Sequence, residues 1–148
     1  MSYNPNFTGA SAVASRQLQT GYVNGTGSTI AICVPVSTNT SGQIVLTDVS
    51  NEALSLGFVG LTNIAIPSAA NGGVINGGRL QNVTTGFAVG DAIYVGSTPG
   101  TLTNVKPNAG SNGFVALDFV IFVGVLVKNE FNPSQTDIQL FTQIVGQL

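Results

Sequence analysis

The residues able to do acid–base or nucleophilic chemistry are few and scattered. The carboxylates are Asp48, Glu52, Asp91, Asp118, Glu130 and Asp137, and the cations are Arg16, Arg79, Lys106 and Lys128. There is no histidine, and Cys33 is the single cysteine. A serine or cysteine nucleophile needs a positioned base, and without histidine the usual triads are absent. A Ser–Lys dyad would have to use Lys106, which precedes Pro107, or Lys128, which follows a strand-like run. Neither has a partner in the pattern. Two carboxylates can cleave a glycosidic bond, but most of these six fall at expected strand ends or turns. Aspartate commonly accepts backbone N–H groups there, and Asp91 in Val89-Gly90-Asp91 is the clearest case. Calcium takes Asp, Asn and carbonyl oxygens, yet no DxDxDG-like loop is present. The reading assigns no catalytic residue, no metal and no cofactor, and expects a binding or structural protein.

The rest of the composition points the same way. Charged residues make up 7% of the 148, the formal net charge is −2, and 43% of residues are hydrophobic. That hydrophobic content supports a folded core. The charge is too small to steer the chain to nucleic acid or an anionic membrane. Charge keeps soluble proteins apart, so its scarcity suggests surface that is buried against copies or partners. A neutral Ser/Thr/Asn surface on an extracellular β-protein is the plainer alternative. Cys33 lies in Ile30-Ala31-Ile32-Cys33-Val34 and is expected to pack as a small hydrophobe. Met1-Ser2-Tyr3-Asn4-Pro5 has neither a basic nor an apolar leader segment, so synthesis in a cytoplasm without a standard export signal is expected. The longest apolar stretch, Phe119–Val127, is far short of a membrane helix. The four Asn-x-Ser/Thr triplets, beginning at Asn6, Asn24, Asn39 and Asn82, carry little meaning without such a signal.

The elements that would position these residues are strands. Residues 28–148 read as one β domain with runs at Thr29–Val36, Gln43–Val49, Leu56–Ile66, Val74–Val83, Ala92–Gly96, Thr101–Val105, Phe119–Val127 and Asp137–Val145. Each is rich in β-branched or aromatic residues and bounded by Gly, Pro, Asn or Ser. The expected fold is all-β, a small β-barrel or β-sandwich, with an extended N-terminal arm. One helical turn is expected at Ser50-Asn51-Glu52-Ala53-Leu54, capped by Ser50. The segment Asn71–Gly78 contains Asn-Gly-Gly twice and reads as two tight bends flanking a short strand. It also looks like a phosphate loop, but no lysine or helix follows. Ile138, Leu140 and Ile144 fall on one face of the last strand, with Gln139, Phe141 and Gln143 on the other. That second face suits a neighbouring subunit as well as it suits half-exposure.

Residues 1–27 read as an extended docking arm, polar and glycine-rich with a few apolar anchors. Tyr3, Phe7, Arg16 and Tyr22 are its candidate partner contacts. A first strand preceded by a loose terminus is the alternative for this stretch.

The stretch Gly86-Phe87-Ala88-Val89-Gly90-Asp91-Ala92-Ile93-Tyr94-Val95-Gly96 is followed by Pro99-Gly100-Thr101-Leu102-Thr103-Asn104, and later by Val123-Gly124-Val125. This succession resembles a small β-module of tailed-bacteriophage virion proteins, among them capsid decoration or cement proteins and fibre or knob components. The resemblance spans roughly residues 56–148. It implies that Gly90 and Asp91 make a turn and that Tyr94 packs, and it carries over no active site. It also implies a virion location, a homotrimer, and contacts with the major capsid protein or other virion proteins. The alternatives are a tail fibre, collar or baseplate knob component, and a carbohydrate-binding β-module.

Overall fold

The computed structural model describes residues 18–148. Among these residues ten strands and one short helix follow one another: β1 Leu18–Val23, β2 Pro35–Thr38, β3 Ile44–Leu46, α1 Glu52–Leu56, β4 Phe58–Thr62, β5 Asn71–Ile75, β6 Gly77–Val83, β7 Ala92–Val95, β8 Leu102–Thr103, β9 Phe119–Lys128 and β10 Thr136–Gln147. They form two antiparallel five-stranded sheets, β1-β5-β4-β2-β3 and β6-β10-β9-β7-β8. The all-β expectation holds. The two edges of the first sheet meet where Asn24, just after β1, bridges Ile44 of β3 and the Gly25 N–H donates to the Ile44 carbonyl, and both sheets contribute to one core. Leu61 and Ile75 of the first sheet join Leu80, Ile93, Ile121, Leu126 and Ile138 of the second in a single buried cluster. A smaller cluster, Ile30, Val36, Ile44, Ile66 and Val74, lies within the first half of the chain.

Several expected boundaries move, each for a local reason. Leu18–Val23, placed above in the arm, pairs with β5 as an edge strand. That is the first-strand alternative for this stretch. The run Thr29–Val36 is broken because Cys33 takes a positive φ of 63°. Ile30 pairs only through a bridge to Ile66, and the strand proper starts at Pro35. The run Val74–Val83 divides at Asn76, where the chain leaves one sheet for the other. Asn71-Gly72-Gly73 is strand rather than bend. A Cβ on Gly72 would collide with the Ile66 side chain, so these glycines serve close packing. The helix is capped by Asn51, not Ser50. Asn51 Oδ1 accepts from the Leu54 N–H at 3.1 Å, while the Ser50 N–H and hydroxyl both donate to Asp48 Oδ1.

Candidate assembly surface

Tyr3, Phe7 and Arg16 lie outside the described residues. Tyr22 is half-buried, with its ring against the smaller core cluster and its hydroxyl donating to Gln19 Oε1. Packing therefore takes up much of this ring.

The four aspartates are held by hydrogen bonds in structural positions. Asp91 Oδ2 accepts from the Ala88 N–H at 2.9 Å and from Asn104 Nδ2 at 2.8 Å, tying the β7 turn to the segment after β8. The Asn104 and Ala88 hydrogen bonds hold its carboxyl below the usual range. Gly90, with φ 97°, makes the turn before it. Tyr94 packs edge-on against Phe122, ring centroids 5.5 Å apart. Asp118 Oδ2 accepts from the Val115 N–H at 2.9 Å.

Asp137 is the most enclosed carboxylate, with 0% exposure. Its Oδ1 accepts from the Asn82 N–H at 2.9 Å and from Asn129 Nδ2 at 3.0 Å. Arg79 Nη1 stands 3.6 Å from its Oδ2 and 3.3 Å from exposed Glu130 Oε1. Asn129 Oδ1 in turn accepts from the N–H groups of Phe131 and Asn132. This network fixes the β9–β10 loop and leaves Phe131 projecting with 87% exposure. A carboxylate with no solvent access and with such donors around it serves architecture, not proton transfer to a substrate. Among the described residues no three acidic or cysteine side chains converge as a metal site.

Cys33 is half-buried against the main core, and burial pushes its thiol up to about 11. It is an inert side chain at neutral pH.

The feature with most to offer a partner is the second half of β10. Its pairing with β6 ends at Phe141–Gly77, while pairing with β9 continues to Gln147. Beyond Thr142, whose hydroxyl donates to the Asn76 carbonyl, no described strand covers its outer edge. Register shifts fall between Leu140 and Gln143 and between Ile144 and Gly146. Each inserts a residue and re-aims the side chains that follow. Phe141, Ile144 and Val145 are all exposed, Val145 by 59%. Ile144, expected on the face of Ile138 and Leu140, pairs with fully buried Ile121 and so keeps that face, yet near the end of the strand it is 37% exposed. Exposed Val115 and Leu117 lie in the adjoining segment, where Leu117 pairs with Leu148 and accepts from Gln147 Nε2. No charged residue occurs in Ile138–Leu148. Free edges of monomeric sheets usually carry Lys, Pro or an inward charge. Here the bulges are the only such device on the strand. Apolar content was visible in the sequence, but the re-aiming was not, because bulges leave no mark in a period-two pattern.

The chain matches no protein-family model and no curated protein sequence.

Proposed function

We propose that the chain is a non-enzymatic structural protein of a tailed-bacteriophage virion, most specifically a capsid decoration or cement protein. One observation carries the reading: a bulged, uncharged half-strand presents Phe141, Ile144 and Val145 to solvent beside Val115 and Leu117. Apolar surface of this kind, on a chain with almost no charge, is surface that assembly covers. The likeness of the Val89–Asn104 and Val123–Val125 segments to virion β-modules supports the same reading. The protein associates with itself, as a homotrimer by that likeness, and with the major capsid protein. Its effect is to add buried area across neighbouring shell subunits, which stabilises the assembled state by mass action. No chemistry is required.

The test is recovery on particles. Full-length protein should cosediment with capsids at saturable stoichiometry, and a chain starting at Leu18 should bind more weakly while keeping the fold. Truncation should not pass residue 17, because Leu18–Val23 belongs to the sheet. Immunogold labelling separates shell from tail, where a fibre, collar or baseplate knob would lie. Failure to bind any particle component defeats the reading.

A second reading, a carbohydrate-binding module, is favoured by exposed Phe131. Its loop continues into a cleft of about 340 Å³ lined by Asn82, Thr84, Thr85, Ser134 and Thr136. An aromatic ring beside amides and hydroxyls is suited to a sugar face. A glycan array without hits removes this reading.

A further inference from the structure

The sequence contains four Asn-Gly dipeptides: Asn24-Gly25, Asn71-Gly72, Asn76-Gly77 and Asn112-Gly113. Glycine after asparagine leaves the following N–H unshielded, so it can reach the asparagine side-chain carbonyl carbon. Whether it does so depends on what holds the two residues. Asn24 is buried, its amide donates to the Ser28 and Ile66 carbonyls at 2.8 Å, and the Gly25 N–H donates to the Ile44 carbonyl at 2.9 Å. Asn71 and Gly72 sit inside β5, paired with Val23 and Tyr22. Gly77 opens β6 and pairs with Phe141. Asn112-Gly113 lies in an exposed turn, with neither residue bridged or strand-paired, and both take positive φ, 52° and 81°. Among the described residues the Gly113 N–H meets no acceptor, and the Asn112 amide donates only to the neighbouring Ser111 hydroxyl, at 3.2 Å.

We infer that Asn112 is a site of spontaneous covalent modification, converting to aspartate and isoaspartate in the folded protein. The Gly113 nitrogen, losing its proton to solvent base, bonds to Asn112 Cγ. The Cγ–Nδ2 bond breaks, and nitrogen leaves as ammonia. The resulting succinimide then takes up one water at either carbonyl. Opening at one restores a normal backbone with a carboxylate side chain; opening at the other routes the backbone through the side-chain carbon. Both products add one negative charge to a chain whose formal net charge is −2. The isoaspartate product also lengthens the backbone of a turn that holds the core. The Asn112 carbonyl accepts from the Ser97 hydroxyl at 2.7 Å, and the Phe114 N–H, on a ring only 2% exposed, donates to the Ser111 carbonyl at 3.0 Å. The modification is thus an ageing reaction that loosens the Phe114 anchor.

The test is peptide mapping of the full chain during incubation in mildly alkaline buffer, folded and in urea. In the folded protein Asn112 should convert at least about tenfold faster than the other three sites, because they react only through local opening of buried or strand-paired backbone. In urea the four rates should converge to within a small factor. Asn112→Ser should abolish the early acidic species seen on isoelectric focusing. Equal rates in the folded state, or faster conversion at Asn24, Asn71 or Asn76, overturn the inference. So does an acidic species that persists in Asn112→Ser.

Discussion

Replacing Asp137 by alanine tests how the second sheet is held at its β6–β9–β10 end. The carboxylate has no solvent access and takes hydrogen bonds from the Asn82 N–H and the Asn129 amide. Asp137→Ala strands both donors, the Asn129 amide in a buried site and the Asn82 N–H in a partly buried one. Each orphaned buried donor costs about 1–3 kcal/mol, so for the two the expected loss is about 2–6 kcal/mol. For a domain of this size that corresponds to a fall in Tm of roughly 5–20 °C. Arg79 stands 3.6 Å away, beyond hydrogen-bonding range, and its side chain is 27% exposed. Arg79→Ala should therefore cost no more than about 1.5 kcal/mol, and Glu130→Ala, at an exposed partner, less than about 0.5 kcal/mol. Urea denaturation of the three variants gives the ranking directly. If Arg79→Ala costs as much as Asp137→Ala, the ion pair rather than the neutral donors holds the carboxylate, and the reasoning is refuted.

Further expectations follow from single contacts. A Cβ on Gly124 would strike the Gln139 backbone carbonyl across the β9–β10 pair, so Gly124→Ala should destabilise by about 1–3 kcal/mol or more, read from the urea midpoint. Val145→Lys should change stability by less than about 0.5 kcal/mol, since the side chain is exposed, yet weaken particle binding and self-association severalfold. Native Cys33, its thiol raised to about 11, should alkylate at pH 8 on the order of a hundredfold more slowly than in urea. Because the folded state favours the neutral thiol, Cys33's contribution to stability is complete below pH 9 and is lost as pH rises to about 11. Alkaline denaturation curves of wild type and Cys33→Ala should therefore converge across that window.

Much of the fold was legible because β-branched runs bounded by turn residues have few other structures open to them. Val120–Val127 and Ala92–Val95 are plain examples. What escaped depended on backbone geometry set by distant contacts. The second Asn-Gly-Gly, at Asn76, marks a bend, but nothing local says that the chain changes sheets there. Asn71-Gly72-Gly73 has turn composition, yet it is strand because Ile66 leaves no room for a Cβ. Cys33 breaks an apolar run by a positive φ that its neighbours do not announce. Asn51 displaced Ser50 as the helix cap because Asp48 had already engaged the serine. The candidate surface was half legible. The apolar, charge-free C-terminal segment could be read, but the bulges that interrupt its pairing on either side of Ile144 could not. The low charge, first an argument against chemistry, acquires a specific location in that segment.

The central claim is that this neutral surface exists to be covered in an assembled particle. Under the proposed virion role, quantitative mass spectrometry of purified phage particles tests it most directly. The account predicts the protein on the particle, at a fixed ratio to the major capsid protein and at many copies per shell. Its absence from purified particles, or its presence only at trace and variable amounts, would contradict the account.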